Sequence, residues 1–180
     1  MRFFLGVCLI LGLSSFVSNQ FIDWRPNQKL SWKDFMGKPV ANSGNAALTS
    51  THISFEYGYG SNGFSYSITC RFDKKQSWVK IKNDYVLAHE QAHFDIAEIH
   101  ARKLKKALSA YDYNPKTVKA DVNKIYETIM KEHHAMQQLY DKQTDHSRNK
   151  DQQEIWLLKI ADMLTGSLAY ANYQEIVSGN

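Results

Sequence analysis

The stretch LAHEQAHFDIAEIHARKL, residues 87–104, carries two histidines four positions apart with a glutamate directly after the first. Four residues advance 400° around an α-helix, so His89 and His93 lie within about 40° of each other and about 6 Å apart along the axis. Both imidazoles can then bind one ion at zinc–nitrogen distances of about 2.0–2.1 Å. The spacing therefore predicts a zinc site on a long helix, and the alternative is an ordinary solvated helix face.

Glu90 is rotated by about 100° from the first histidine, so it flanks the same site. We expect it to act as general base and acid, taking a proton from zinc-activated water and returning it to a leaving amine. Apolar residues such as Phe94 and Leu104 predict that packing anchors this helix. Glu98 and Arg102 are expected on its charged faces.

Helical patterns continue to the end of the chain. The first helix is predicted to span residues 84–111, with Asn83 or Asp84 as its N-cap. A second helix is predicted over residues 114–141, with Asn114 as its cap, and a third over residues 151–176.

Alternating apolar and polar residues precede the helices. The runs 46–59 and 64–72 flank the turn sequence GSNG, which predicts a β-hairpin, and residues 77–82 predict a third short strand. The fold class that follows is α+β, with a small antiparallel sheet followed by three long α-helices. The first helix carries the HExxH motif, as in zincin-like metallopeptidases.

A catalytic zinc site needs a third protein ligand, which the motif helix does not supply. His100 shares the angular position of the motif histidines but lies about 10 Å further along the axis than the second of them. His133 continues an apolar stripe on the second helix and is expected to face inward, whereas His146 lies in a polar connector. The residues alone leave His133 and His146 as equal candidates, with acidic residues behind; Asp141 and Asp145 lie near His146 in the sequence.

The N-terminus predicts export. Residues 1–18 begin with Arg2 and continue through an apolar run to small polar residues, which is typical of a secretory signal peptide. The run is short for a membrane span, although an uncut N-terminal anchor is the alternative. Residues 19–180 are then expected to form a single domain in a secreted or periplasmic protein.

The amino-acid composition limits the kinds of partner that we expect for this protein. The formal net charge of +4 is made of positive residues scattered among acidic ones, which argues against nucleic-acid binding. Removal of the signal peptide would leave Cys70 as the single cysteine, so no intrachain disulfide can form and the thiol is expected in the core. We expect a monomer with no membrane contact after processing.

Two motifs together resemble a known family. The combination of HEQAHFDIAE-x-x-AR, a downstream YD-x-x-T-D-H and then Q-x-x-W resembles predicted bacterial secreted zinc-dependent proteases, catalogued as a domain of unknown function. The resemblance extends from the DW-x-P-N-x-KL-x-W-x-DF opening, residues 23–35, to Trp156. It implies zinc-protease roles for the HExxH residues and favours His146 as the third ligand. Some relatives have glycine where Ser147 stands.

The function expected from these observations is a secreted zinc peptidase with one Zn²⁺ per chain, acting on a peptide or protein substrate. Its metal ligands are predicted to be His89, His93 and His146, with Glu90 as the catalytic base and Tyr140 or a histidine stabilising the oxyanion. Two alternatives remain, which are a zinc amidase acting on cell-wall peptide and a non-catalytic binding module that a metal holds together.

Overall fold

Six strands and three α-helices follow one another in the computed structural model, which describes residues 20–61, 63–173 and 177–178. The predicted signal peptide, residues 1–18, lies outside the described residues. The strands are β1 (Phe21–Asp23), β2 (Ala47–Leu48), β3 (Thr51–Gly60), β4 (Gly63–Asp73), β5 (Trp78–Val79) and β6 (Val177–Ser178). The helices are α1 (Asp84–Ser109), α2 (Val118–Thr144) and α3 (Lys150–Gly166).

The predicted hairpin is confirmed, and it supplies the two longest strands of the sheet. β3 and β4 pair antiparallel from Thr51 opposite Phe72 to Gly60 opposite Gly63. β1 and β6 pair with opposite ends of the other edge of β4, so the sheet order is β1-β4-β3, with β6 also paired to β4. This order leaves β3 at one edge of the sheet.

The first predicted strand is divided in two. Ser50 accepts a bond from Asp73 N at 2.9 Å and donates its own N–H to Ser77 Oγ at 2.9 Å, so the chain changes partners at this residue. β2 therefore pairs with β5 in a separate two-stranded ladder, rather than extending β3. The third predicted strand is present but is reduced to the two residues of β5.

Helix α1 begins where the sequence predicts, because Asn83 Oδ1 accepts the N–H of Val86 at 2.8 Å. α2 begins a turn later than expected, since Asn114 Oδ1 accepts from Lys116 N in a preceding turn. α3 ends at Gly166, ten residues before the predicted end, and a short 3-10 turn follows. A carbonyl of its last turn, Leu164 O, accepts a hydrogen bond at 2.7 Å from Arg102 of α1.

The core surrounds α1, which is buried on two sides. One side packs against the inward face of β4, where Phe72 and Phe94 have ring centroids 5.9 Å apart. The other side packs against α2 and α3 through Ile96, Tyr140 and Trp156. A helix covered on both sides has few positions exposed to solvent, so some of the charged residues of α1 are buried.

The expectation that Glu98 and Arg102 occupy exposed faces is wrong. Both are 1% exposed and form an ion pair at 2.7 Å, and Tyr173 donates its hydroxyl to the second oxygen of Glu98. Cys70 is fully buried as predicted, and burial raises the pKa of its thiol well above the ordinary value. The fold is α+β, with a small antiparallel sheet packed on three helices. Among the described residues, no helix is both long and apolar enough to span a bilayer.

Candidate metal centre

Two helices bring three ligand atoms together. His89 and His93 project from the first half of α1, and Asp141 projects from the last turn of α2. Asp141 Oδ1 lies 3.2 Å from His89 Nε2 and 3.0 Å from His93 Nε2, and the two nitrogens are 3.2 Å apart. The three atoms therefore form a nearly equilateral triangle.

The triangle suits a small cation. For a tetrahedral ion at 2.0–2.1 Å from each ligand, the ligand atoms would be about 3.3–3.4 Å apart. The observed separations of 3.0–3.2 Å are close to this value, and imidazole with carboxylate is a donor set that zinc accepts. His89, His93 and Asp141 thus form a group that could hold a metal ion.

The electrostatics of the group keep Asp141 ionised. Burial alone would raise its pKa, but the hydrogen bonds and positive charge of His89 and His93 hold the pKa well below the ordinary value. Burial lowers the pKa of His89, an effect that its bond to Asp141 only partly offsets. Burial also opposes charge on His93, but Asp141, Glu90 and Gln137 together raise the pKa of this histidine.

Glu90 lies beside the triangle with a free oxygen. The residue is 4% exposed, and its Oε2 has no hydrogen-bond partner among the described residues. Buried carboxylate oxygens are nearly always paired, so this oxygen is suited to accept a hydrogen bond from a molecule bound in the site. The backbone carbonyl of Glu90 accepts from Thr49 Oγ1 at 3.2 Å, which ties α1 to the segment before β3.

Tyr140 lies behind the histidines rather than in front of them. Its ring is fully buried and stacks on His89 with centroids 4.6 Å apart, while His93 packs against it edge-on at 5.0 Å. The hydroxyl donates to the backbone carbonyl of His89 at 3.5 Å. This position supports the motif helix, and the structure does not bring the hydroxyl to the ligand triangle.

His133 faces inward, as its place in the apolar stripe predicts, and is 9% exposed. Its Nε2 lies 3.0 Å from the amide nitrogen of Gln137, so it is engaged away from the triangle. Burial and the neighbouring charges of His100, His134 and His93 lower the pKa of His133 to about 3, which keeps the ring neutral. His100, which lies too far along α1 to share the ion, is buried, and its Nδ1 is 2.8 Å from Ile96 O.

His146 lies on a strained turn at the rim of the site. Its Nδ1 is 3.6 Å from Asp141 Oδ1, and its side chain is 43% exposed. Asp145, His146 and Ser147 have φ values of 48°, 50° and 72°, in the left-handed region that non-glycine residues enter at a cost. Such strain at consecutive residues is characteristic of functional positions. The turn is fixed by His146 N, which donates to Asp141 O at 2.9 Å.

A cavity of about 340 Å³ opens over the triangle. Its far wall is residues 45–51, which include β2, and Arg148 ties this wall to the turn by donating to Gly44 O at 2.9 Å. Its helical side is lined by His89, Glu90, His93, His133, Gln137, Asp141, His146 and Ser147. Every predicted metal ligand and the predicted base therefore open on one cavity, whereas Tyr140 does not line it.

Fold and site together define an α+β protein with a candidate metal centre between its first two helices. The family model described as "Bacterial protein of unknown function (DUF922)" matches residues 27–147, and the chain belongs to this family. The matched range contains both helices of the site and His146. No curated protein and no solved structure matches the chain.

Acidic residues ranked behind the histidines as predicted third ligands, and Gln137 was not among the candidates. One signal was present, since His133, Gln137 and Asp141 follow one another at four-residue intervals. That spacing places all three on one face of α2, opposite the two histidines of α1. The approach of the two faces is a tertiary contact, which no spacing within one helix can indicate.

Proposed function

We propose that this chain is a metal-dependent hydrolase, in which zinc held by His89, His93 and Asp141 serves the cleavage of peptide bonds. The observation that carries the proposal is the coincidence of a three-ligand triangle with the unpaired, buried carboxylate of Glu90 on one cavity. A zinc ion there would supply Lewis-acid activation of water and of the substrate carbonyl.

The side chains divide the remaining work. Glu90 takes the proton of the attacking water and returns it to the leaving amine, which its free Oε2 and its place on the cavity permit. His146, on the exposed rim, is the donor for negative charge that develops on the substrate oxygen. Tyr140 keeps His89 in place by stacking and does not contact substrate.

The wall opposite the helices suits an extended substrate. Ala46 O accepts from Lys80 N at 2.7 Å, so the alternation of an antiparallel pair turns the N–H of Ala47 away from β5. A peptide lying antiparallel to β2 could bond this free edge while its scissile carbonyl lies over Asp141 and Glu90. The predicted signal peptide makes such a substrate extracytoplasmic.

Glu90→Gln tests the proposal against a non-catalytic binding module. Gln keeps the size of the side chain but cannot accept a proton from water, so hydrolysis of a peptide library should fall at least about 10²–10⁴-fold. Zinc content and melting temperature should match the parent protein. Glu127→Gln, on the exposed face of α2, is the matched control.

An unmeasurable rate for the parent protein loaded with zinc would contradict the peptidase proposal. If zinc raises the melting temperature of both the parent and Glu90→Gln equally without any turnover, the metal serves only to hold α1 to α2. Cleavage of cell-wall peptide amides but not of linear peptides would instead identify an amidase.

A further inference from the structure

The amide of Gln137 contacts both a proposed ligand and a second histidine. Its Nε2 lies 2.9 Å from the backbone oxygen of His93 and 3.0 Å from His133 Nε2, and its Oε1 lies 2.5 Å from His93 Nδ1. Three contacts to one side-chain amide leave it little rotational freedom. They also fix the positions of protons on both histidines.

The orientation of the amide follows from the backbone contact. A peptide carbonyl oxygen can only accept hydrogen bonds, so the amide atom facing His93 O must be the NH₂ group. A flipped amide would place two acceptor oxygens against each other at 2.9 Å. Gln137 Oε1 therefore faces His93 Nδ1 and acts as an acceptor.

The proton positions follow in turn. Because Oε1 accepts, His93 must carry a proton on Nδ1, and its Nε2 is left to face Asp141 and His89. The second amide hydrogen points to His133 Nε2, which must accept it, so the proton of the neutral His133 ring is on Nδ1. His89 has no such support, since its Nδ1 is buried without a hydrogen-bond partner among the described residues.

We propose that Gln137 is the positioning residue of the metal site, holding His93 with a proton on Nδ1 and Nε2 toward the ion, and holding His133 in its Nδ1–H form. The role of His93 as a ligand rests on the proposed function, whereas the proton positions do not. In this form, Nδ1–H is the one hydrogen-bond donor of the neutral His133 ring. A ligand histidine whose second nitrogen is hydrogen-bonded binds metal more tightly because its ring is preoriented.

One substitution separates positioning from mere packing. Gln137→Met keeps the length of the side chain but removes every hydrogen bond, so zinc affinity should fall about 10–100-fold in a chelator competition. The same change removes the donor that faces His133 Nε2. His133 is then no longer confined to the Nδ1–H form and should populate the Nε2–H form as well, which the ¹⁵N shifts of the histidine rings report by NMR.

Gln138→Met is the matched control, because its side chain is exposed one position further along the same helix. It should leave zinc affinity within about twofold and keep His133 in the Nδ1–H form. The NMR spectra are recorded on the chain without metal, so they stand whether or not the protein is a hydrolase. If His133 has its proton on Nε2 in the parent, or if Gln137→Met leaves it wholly on Nδ1, the proposal is wrong. Unchanged zinc affinity in Gln137→Met would also overturn it.

Discussion

Replacing Arg102 with Met should destabilise the protein more than any substitution on its surface. Arg102 Nε donates to Glu98 at 2.7 Å and its Nη1 donates to Leu164 O at 2.7 Å, with both ionic side chains 1% exposed. Met removes the positive charge and leaves the Glu98 carboxylate buried with Tyr173 as its remaining hydrogen-bond partner. α1 would also lose the hydrogen bond from Arg102 to the last turn of α3.

Breaking a buried ion pair on one side costs about 3–5 kcal/mol, because the remaining charge stays in a medium of low polarity. Domains of this size are stable by about 5–15 kcal/mol, so Arg102→Met should lose a large part of the total. Adding Glu98→Gln removes the stranded charge and should recover about 2 kcal/mol. The recovery distinguishes an unpaired charge from a simple loss of packing.

The cost should also depend on pH. Burial raises the pKa of Glu98 above its ordinary value even though Tyr173 and Arg102 oppose the shift. A carboxyl with a raised folded-state pKa contributes stability below its unfolded pKa of about 4.3 and loses it as the pH rises through the folded value. Without Arg102 that pKa rises further, so the deficit of Arg102→Met should be larger at pH 8 than at pH 5.

Urea denaturation of the parent, Arg102→Met and the double variant at both pH values measures these differences. Lys103→Met, one position along α1, is the control. Lys103 is partly exposed and pairs only weakly with Glu132 at 3.5 Å, so this variant should change stability by less than about 0.5 kcal/mol. A deficit below 1 kcal/mol for Arg102→Met, or no recovery in the double variant, would refute the reasoning.

Three further predictions concern the turn, the cavity wall and the thiol. Ser147→Gly should raise the free energy of unfolding by about 0.5–1 kcal/mol, since glycine accepts a φ of 72° without strain; a less stable variant in urea denaturation would contradict this. Ala47→Pro removes an N–H that points away from β5, so it should raise KM for a cleaved peptide at least about tenfold, with zinc content and Tm nearly unchanged. An unaltered KM would mean that substrate does not lie along β2. Exported protein should begin near residues 16–20, and it should stay monomeric without reductant because Cys70 is buried. An intact mass that includes Met1, or a disulfide-linked dimer, would contradict this prediction.

The parts of the fold that periodicity determines were predictable. The hairpin strands β3 and β4 have ten and eleven residues with an alternating pattern, and α1 has both a capping Asn83 and a long apolar pattern, so each could be recognised locally. The split between β2 and β3 was not, because it depends on bonds from Ser50 to distant residues.

In the candidate site too, only the residues that share one element could be predicted from the sequence. His89, Glu90 and His93 share one helix, so their spacing alone places them together. Asp141 joins them only because α2 crosses α1 at its last turn. Its four-residue spacing from Gln137 places it on one face of α2 but does not indicate which helix that face meets. Glu98 and Arg102 were misassigned because charged residues at helical spacing are usually solvated, and burial of α1 on both sides could not be seen from its own sequence.

Zinc binding by the purified mature chain tests the central claim most directly. Competition with a chromophoric chelator at pH 7 should show one zinc per chain, with binding lost in His89→Ala and in Asp141→Ala and weakened less in His146→Ala. If His146 is the third ligand, as the sequence predicts, zinc binding should instead be lost in His146→Ala and weakened less in Asp141→Ala. The same titration therefore decides which of the two residues is the third ligand. A parent protein that fails to bind zinc, or that binds it equally well after replacement of His89, would contradict the account.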